Sequence, residues 1–241
     1  MFGVSKHKFI ISYNRKADKM SIFDIIGPVM VGPSSSHTAG AVRIGYICYK
    51  LMGEPVINAD IGLYGSFLAT GAGHGTDKAL VAGLLGMLPD DIRVPDSFKI
   101  ADQIGMRYKF QEAHLTQAHP NTAVLGLTGK SGRNLEVVAE SVGGGRIHIR
   151  KIDGLDANFA GDYPTIIIHN TDEPGHIASM TEVLRKFNIN IATMQLYRAC
   201  PGGMAVTVIE CDQEVPDEAL KILNSDCLLY TSPSPRDMRR S

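Results

Sequence analysis

The sequence predicts an α+β protein with two domains, each with its own order of helices and strands. In the first half, two histidine-bearing segments each precede a helix-like run, at residues 39–51 and 78–87, and residues 57–63 alternate between them as in a strand. In the second half, the predicted elements follow one another as strand, helix, strand, strand and helix. A chain of 241 residues is long enough for one to two domains with a substantial core.

Composition narrows the classes of function. The formal charge of −1, from 24 basic and 25 acidic residues, offers no basic excess for nucleic acid or anionic lipid. No apolar run reaches membrane-spanning length, and residues 1–20 lack a signal-peptide pattern, so we expect a cytoplasmic protein with no membrane partner. The four cysteines, at positions 48, 200, 211 and 227, have no metal-ligand spacing, so we expect reduced thiols and no metal site on this chain.

The first histidine-bearing segment reads Gly-Pro-Ser-Ser-Ser-His-Thr-Ala-Gly, residues 32–40. Pro33 ends any preceding helix, and a serine just ahead of the next helix can cap its N-terminus. Free backbone N–H groups and the positive end of the helix dipole suit a small anion such as a carboxylate. The serine hydroxyls and His37 add hydrogen-bond donors. A capped surface loop that binds nothing explains these residues equally well.

The second segment reads Gly-Ala-Gly-His-Gly-Thr-Asp, residues 71–77. Thr76 or Asp77 can cap the helix that follows, and the glycines allow a ligand to approach the backbone closely. Because a helix N-terminus disfavours a positive charge, we expect His74 to be neutral and able to accept a proton. A glycine-rich turn with a solvated histidine is the simpler alternative, but two such segments together favour a site.

Together these motifs resemble the β chain of the iron–sulfur-dependent L-serine dehydratase family. The similarity runs from about residue 21 to residue 223. It depends on Phe-Asp-Ile-Ile-Gly-Pro at 23–28, the serine-rich segment at 32–40, Tyr-Gly-Ser at 64–66 and Gly-His-Gly-Thr-Asp at 73–77.

The resemblance implies that L-serine is converted to pyruvate and ammonia without pyridoxal phosphate. It implies a [4Fe–4S] cluster held by a separate α chain, since a cluster normally needs a set of cysteine thiolates. By motif match, His74 is the catalytic base, although the sequence alone leaves open which imidazole has which role. The residues expected to bind substrate are Ser34, Ser35, Ser36, His37, Thr38, Thr76 and Asp77.

The rest of the first domain is predicted to be mostly strands. A short helix is expected at residues 97–104 and a strand at 106–111, followed by a hairpin of residues 121–128 and 134–142 and a strand at 146–152. His119 lies in a run that resembles the family, but its context dictates no role. The triple glycine at 143–145 is better explained as a tight bend than as a phosphate cradle, because no helix follows it.

The second domain begins after a predicted linker at residues 154–163. Strands are expected at 165–170, 190–198 and 204–211, and helices at 176–187 and 216–223; this order lacks one strand of a ferredoxin-like βαββαβ unit. The run Asp-Glu-Pro-Gly-His-Ile at 172–177 resembles the ACT domain, a regulatory module that binds amino acids. The resemblance implies self-association through this domain and a ligand site at Asp172, Pro174, Gly175 and His176.

The predicted boundaries are an N-terminal extension at 1–20, a serine dehydratase β-type domain at 21–153, the linker, and an ACT domain at 164–224. Residues 225–241 resemble no ACT sequence, and their Pro, Ser and Arg content predicts an aberrant, disordered tail. We therefore expect the strand at 165–170 to have an exposed edge. We also expect residues 1–20 to be disordered.

A second class of function fits the same two modules. An anion-binding domain joined to an ACT domain would make an amino-acid sensor without catalysis, in which the serine-rich segment binds a carboxylate and His74 is incidental. A neighbouring reading frame for a cysteine-bearing α chain would favour the enzyme. Its absence would favour the sensor.

Overall fold

The chain divides into two compact units in a computed structural model that describes residues 10–13 and 29–229. One unit spans residues 15–162, and the other combines residues 1–14 with residues 163–241. The family-like motif at 23–28 and the tail beyond residue 229 lie outside the described residues. Both units combine helices with sheets, which confirms the predicted α+β class.

The secondary structure of the described residues is as follows. The strands are β1 (Ile10–Tyr13), β2 (Val56–Gly65), β3 (Arg107–Glu112), β4 (Asn121–Gly129), β5 (Asn134–Gly143), β6 (Arg146–Ile152), β7 (Leu155–Phe159), β8 (Thr165–Thr171), β9 (Ile191–Arg198) and β10 (Met204–Cys211). The α-helices are α1 (Ala41–Met52), α2 (Ser66–His74), α3 (Thr76–Leu84), α4 (Ser97–Gln103), α5 (His176–Lys186) and α6 (Asp217–Leu229). A π-helix (Ser35–Gly40) runs directly into α1, and a short 3₁₀ turn (Val94–Asp96) precedes α4. Within this described part, no helix combines the length and apolar character that a membrane crossing requires.

The larger unit contains a six-stranded mixed sheet in the order β3-β2-β4-β5-β6-β7. Strands β2 and β3 are parallel and every other neighbouring pair is antiparallel. The predicted hairpin corresponds to β4 and β5, whose residues alternate between buried and more exposed positions. The triple glycine lies at the turn from β5 to β6, where all three residues have positive φ, so the prediction of a tight bend is confirmed.

Helices α1 and α3 pack at very short range because each has a glycine at the crossing. A Cβ atom on Gly45 would lie 2.2 Å from the carbonyl oxygen of Leu80, and one on Gly83 would lie 2.2 Å from that of Val42. The two backbones are therefore in direct contact. Both helices begin within a few residues of the histidines described below.

Two predictions for the larger unit were wrong. Residues 71–74 were expected in a loop, but they form the last part of α2. The buried residues of this helix are Phe67 and Gly71. The linker predicted at 154–163 contains β7, which pairs with β6 and completes the sheet. Glycine-rich sequence concealed the helix, and the short strand has too few residues for its alternation to be recognised.

The smaller unit contains a four-stranded antiparallel sheet in the order β1-β8-β10-β9. Its elements from β8 to α6 follow the predicted order of strand, helix, strand, strand and helix. A core forms between the helices and one face of the sheet. Its largest members include Ile166, Ile168, Met180, Leu184, Ile209 and Leu223.

The ends of the smaller unit differ from the prediction. The edge of β8 is not bare, because β1 pairs with it from Ile10 opposite Ile168 to Tyr13 opposite Thr165. Part of the extension expected to be disordered therefore occupies the place of the missing ferredoxin-like strand. Helix α6 continues to Leu229, so the first residues of the predicted tail are helical.

Candidate active site

The serine-rich segment forms the π-helix and its cap. Ser34 has an extended backbone and its hydroxyl accepts a hydrogen bond of 3.1 Å from the backbone N–H of His37, as the predicted serine cap requires. The hydroxyl of Ser141, from β5, donates 2.9 Å to the carbonyl of Ser36. A Cβ on Gly40 would lie 2.1 Å from that same hydroxyl, so the segment and β5 are in close contact.

The imidazole of His37 is hydrogen-bonded through both ring nitrogens. Its Nδ1 lies 3.2 Å from the hydroxyl of Ser36. Its Nε2 lies 3.0 Å from the hydroxyl of Ser66 and 3.1 Å from that of Thr70, both on α2. The ring also meets Phe67 edge to face, with centroids 5.5 Å apart. These contacts hold the half-buried ring in one orientation.

The structure brings His74 next to His37. The ring centroids are 5.0 Å apart. The hydroxyl of Thr38 donates 3.1 Å to the backbone carbonyl of His74, which joins the π-helix to the end of α2. The imidazole of His74 itself is exposed.

The expectation that His74 lies at a helix N-terminus was wrong. His74 is the last residue of α2, so a helix C-terminus lies at this residue, and α3 begins only after Gly75, whose φ is +69°. The dipole of an N-terminus therefore does not explain a neutral imidazole at His74. The hydrogen bonds of the ring indicate instead which of its nitrogens can accept a proton.

Hydrogen-bond directions place the proton on His74 when its ring is neutral. The Nδ1 atom lies 3.1 Å from the backbone carbonyl oxygen of Thr70. A carbonyl oxygen can only accept, so Nδ1 carries the hydrogen and donates it. The lone pair of the neutral ring is then on the exposed Nε2, where it can accept a proton.

The neutral form of His37 depends on the direction of the Thr70 hydroxyl. That hydroxyl lies 2.9 Å from the carbonyl of Ser66, to which it can only donate, and with its hydrogen there its oxygen accepts from Nε2 of His37. In this arrangement the ring hydrogen is on Nε2, and Nδ1 accepts from Ser36. Burial lowers the pKa of His37, the nearby His74 lowers it further, and a hydrogen bond to the Ser66 backbone opposes both effects.

The other predicted substrate residues differ in accessibility. Ser34, Ser35 and Ser36 are half-buried at the π-helix, whereas Thr38 and Thr76 are buried. Within the described residues, the hydroxyl of Thr76 has no hydrogen-bond partner. One carboxylate oxygen of Asp77 accepts from the N–H of Lys78 at 2.8 Å. Thr76 and Asp77 lie in the first turn of α3, whose N-cap is Gly75 without a side-chain hydrogen bond, so the prediction that either residue caps the helix was wrong.

Sequence reasoning missed four residues that support the histidines: Ser66, Thr70, Asn121 and Ser141. Ser66 and Thr70 precede His74 by eight and four residues, a spacing that places all three on one side of a helix. That signal was hidden because α2 was not recognised. Asn121 donates 3.4 Å to the carbonyl of Ser141, a long-range contact that no local pattern predicts.

His119 lies close to the site, because the residues that follow it contact the start of α2 through their backbone. Its Nδ1 accepts 3.1 Å from the N–H of Asn121. The carbonyl of Pro120 accepts from the N–H groups of Ser66 at 2.7 Å and Phe67 at 3.3 Å. The segment 119–121 therefore holds the first residues of α2.

The described residues do not fit an iron–sulfur cluster. Cys48 is buried, and burial raises the pKa of its thiol. Burial and two neighbouring carboxylates raise the pKa of Cys211 to about 11, and Cys200 is exposed in the same unit. No group of three or more His, Cys, Asp or Glu side chains in this part of the chain is arranged to hold a metal.

The predicted ligand residues of the smaller unit lie at the junction of β8 and α5. Asp172 accepts 2.5 Å from Arg198 and 3.3 Å from the N–H of Gly202; the bond from Arg198, followed by that from Gly202, lowers the pKa of its carboxyl. Pro174 lies in the turn that follows β8, and Gly175 precedes α5 with a φ of +96°. His176 is buried, and its Nδ1 lies 2.9 Å from the amide nitrogen of Asn170.

A shallow depression on the smaller unit lies elsewhere. It is lined by residues of α5, of the segment that follows α5 and of the segment that follows β10, among them Glu182, Arg185 and Gln213. The predicted ligand residues do not line this depression. The two charged side chains in its lining, Glu182 and Arg185, pair with each other.

The fold and the paired histidines define an α+β protein in which a domain with a two-histidine site is followed by an ACT unit. A family model described as "Serine dehydratase beta chain" matches residues 21–114, and one described as "ACT domain" matches residues 164–227. The chain belongs to the L-serine dehydratase beta-chain family.

Two of the similar proteins align with most of this chain. The probable L-serine dehydratase beta chain of Bacillus subtilis (strain 168) is 41% identical over 204 residues, which are 85% of this chain and 92% of that one. The L-serine dehydratase beta chain of Peptoniphilus asaccharolyticus is 36% identical over 202 residues, 83% of this chain and 90% of that one. L-serine dehydratase 2 of Escherichia coli (strain K12) is 40% identical over 81 residues, 31% of this chain and 17% of that one.

Proposed function

We propose that this chain is the subunit of an L-serine dehydratase that binds the substrate carboxylate and removes its Cα proton. The observation that carries the assignment is the difference between the two imidazoles. His37 uses both ring nitrogens within the site, whereas the neutral His74 directs its lone pair from an exposed Nε2. The names of the relatives, L-serine dehydratase beta chains, supply the substrate.

In the proposed reaction, Nε2 of His74 takes the Cα proton of L-serine as a general base. The electron pair of that C–H bond forms the Cα–Cβ double bond while the hydroxyl group leaves Cβ as hydroxide, and the proton that His74 has taken up converts this hydroxide to water. The resulting aminoacrylate tautomerises to an imine, and water hydrolyses the imine to pyruvate and ammonia. The chain regains its starting state when His74 releases the proton.

The serine-rich segment is proposed to hold the substrate carboxylate. The hydroxyls of Ser34, Ser35 and Ser36 are accessible enough to donate to an anion, and His37 orders this segment through Ser36. Thr38 is assigned a supporting role, because its buried hydroxyl donates to the carbonyl of His74. Thr76, which is buried, and Asp77 of the first turn are assigned supporting roles at the start of α3, beside the base.

The [4Fe–4S] cluster is proposed to belong to an α chain that completes the site, with no pyridoxal phosphate. The described cysteines of this chain are buried or isolated, and a cluster of this type takes several thiolates. The relatives are named beta chains, which supports a partner subunit. We further propose that the ACT unit binds a small molecule near Asp172 and His176, and that copies of this unit associate.

The test is to produce this chain together with a candidate cysteine-bearing α chain and measure pyruvate formed from L-serine under anaerobic conditions. His74→Ala should lower kcat by about 10²–10⁴, the usual contribution of one general base. His114→Ala is the matched control, because His114 is 87% exposed and outside the site. Turnover by the His74 variant close to that of the control would contradict the assignment.

The same preparation separates the enzyme from an amino-acid sensor. A sensor would bind L-serine but yield no pyruvate with any α chain. The enzyme should yield pyruvate only when both chains are present. Iron measured on each purified chain shows which subunit carries the cluster, and stoichiometric iron on this chain alone would overturn that part of the proposal.

A further inference from the structure

Thr70 lies on the same side of α2 as His74, and it also contacts His37, which belongs to the π-helix. Ser66, Thr70 and His74 follow each other at intervals of four residues, so their side chains are neighbours along the helix. Thr70 is exposed, and none of the core packing depends on it. It is nevertheless the one residue among the described hydrogen-bond partners that contacts both imidazoles.

The two contacts of Thr70 use two different groups. Its hydroxyl oxygen lies 3.1 Å from Nε2 of His37. Its backbone carbonyl lies 3.1 Å from Nδ1 of His74. The hydroxyl hydrogen is directed to the carbonyl of Ser66 at 2.9 Å, so both groups of Thr70 present only acceptors to the rings.

The hydroxyls of Ser36 at Nδ1 and Ser66 at Nε2 can each donate or accept, so they accommodate either neutral form of the His37 ring. The hydroxyl of Thr70 is different, because with its hydrogen directed to the carbonyl of Ser66 its oxygen can only accept from Nε2. Among the side-chain hydroxyls that contact His37, that of Thr70 therefore favours a hydrogen on Nε2, in addition to the hydrogen bond to the Ser66 backbone.

We propose that Thr70 is a positioning residue of the active site, whose hydroxyl and carbonyl hold His37 and His74 in opposite neutral tautomers. The inference rests on the proposed function, in which His74 alone accepts the substrate proton. If His37 carried its hydrogen on Nδ1 instead, its Nε2 would present a second lone pair beside His74. Because Thr70 keeps a hydrogen on Nε2 of His37, Nε2 of His74 is the ring nitrogen that can accept the substrate proton.

The test compares Thr70→Val with Thr70→Ser in the complete two-chain enzyme. Valine keeps the branched shape and the backbone carbonyl but removes the hydroxyl, whereas serine keeps the hydroxyl. We expect Thr70→Val to lower kcat about tenfold, in line with the loss of one hydrogen bond, and Thr70→Ser to stay within about twofold of wild type. Unfolding midpoints of both variants should match wild type, because the position is exposed.

A second readout is independent of activity. Nitrogen-15 NMR of the imidazoles in the full chain reports which ring nitrogen bears hydrogen, and His37→Gln and His74→Gln assign the signals. In wild type, His37 should show a protonated Nε2 and His74 a protonated Nδ1. In Thr70→Val, His37 should become a mixture of tautomers, while His74 should be unchanged because its carbonyl partner remains.

A single tautomer at His37 that persists in Thr70→Val would overturn the inference, as would an unchanged kcat or an equal loss in Thr70→Ser. Failure of the proposed function gives a different result. In that case His74→Ala would remain active, while the tautomers of the full chain would still respond to Thr70→Val. The two conclusions are therefore tested separately.

Discussion

The chain surrounds the two neighbouring histidines differently, and the proposed function assigns them different tasks for that reason. His37 is half-buried at the π-helix, and hydroxyl groups contact both of its ring nitrogens, so its imidazole is held in one orientation. His74 ends a helix and is exposed, so its Nε2 can reach a substrate. The position of His37 suits an imidazole for binding, and the position of His74 suits an imidazole for proton transfer.

Replacing His37 should therefore weaken substrate binding at least as much as it slows the chemical step. His37→Ala removes the ring that orders Ser36 and leaves the serine-rich segment without one of its links to α2. We expect KM for L-serine to rise by about tenfold or more, the range for loss of one or two hydrogen bonds. Steady-state kinetics of the two-chain enzyme give the measurement, and an unchanged KM would contradict the binding role.

The lowered pKa of His37 also predicts how stability depends on pH. An unfolded histidine has a pKa of about 6.5, and the folded value is lower, so below that pH the unfolded chain binds more protons than the folded chain. The free energy of unfolding should consequently fall as the pH falls from about 6.5 towards the folded pKa.

Urea unfolding at about pH 7.5 and about pH 5.5 tests this dependence. Wild type should lose more stability on acidification than His37→Gln, because the variant lacks the group whose pKa is lowered in the folded chain. An equal loss in the two proteins would show that the pKa of His37 is not lowered by folding.

Sequence information identified both imidazoles but not the residues that orient them. His37 and His74 were visible because each lies in a distinctive run of serines or glycines. Thr70 was not visible, because its role appears only when α2 places it four residues before His74 and opposite His37. Ser141 reaches the π-helix from a strand far along the chain, and single-sequence patterns carry no such information.

At the scale of elements, the crossing of α1 and α3 controls the geometry of the site. The two helices carry glycine at their closest approach, and both begin next to a histidine-bearing segment. Any increase in the separation of the helices moves the π-helix relative to the end of α2. Packing remote from the histidines therefore sets their distance.

Gly45→Ala tests this crossing. The added methyl group would lie 2.2 Å from the carbonyl of Leu80, so the helices must separate. We expect a loss of about 1–3 kcal/mol in the free energy of unfolding, typical of overpacking, together with reduced activity. Denaturant unfolding of the full chain provides the measurement.

The matched control is Gly73→Ala, because a Cβ there meets nothing within 4 Å and the residue is helical. That change should stabilise the chain by up to about 1 kcal/mol, since alanine is the better helix residue. Equal effects of the two substitutions would mean that the close crossing is not a source of stability.

The elements that the sequence failed to predict share a physical cause. Helix α2 contains Gly71 and Gly73, which have poor helix propensity, and it is stabilised by burial of Phe67 and Gly71 against the rest of the unit. Strand β7 has only five residues and pairs with β6 at the end of the sheet. In both cases tertiary contacts, rather than local pattern, decide the structure.

At the scale of the whole molecule, the smaller unit is built from segments far apart in the chain. Strand β1 lies beside β8, in the position that the last strand of a ferredoxin-like unit occupies. The sequence predicted the need for a strand at this edge. It gave no indication that Ile10–Tyr13 would supply it, because four residues are too few to define an alternation.

Removing residues 1–14 should expose the backbone edge of β8. Unpaired N–H and C=O groups along an apolar strand invite pairing with another chain, so we expect self-association and faster amide exchange in Thr165–Thr171. Light scattering and hydrogen exchange provide the measurements.

Removing only residues 1–8 is the control, because it leaves β1 intact. This shorter deletion should behave as the full chain does. If both truncations behaved alike, β1 would not protect the edge.

The pairing of β1 with β8 also determines when this fold can be completed during synthesis. Ile10 leaves the ribosome long before its partner Ile168 exists, and at roughly 5–20 residues per second the delay is on the order of ten to thirty seconds. The whole unit of residues 15–162 is translated within that interval and can fold first. Until β8 emerges, β1 must remain an unpaired strand that a chaperone or a neighbouring nascent chain can capture, so the rate of translation becomes a determinant of correct assembly.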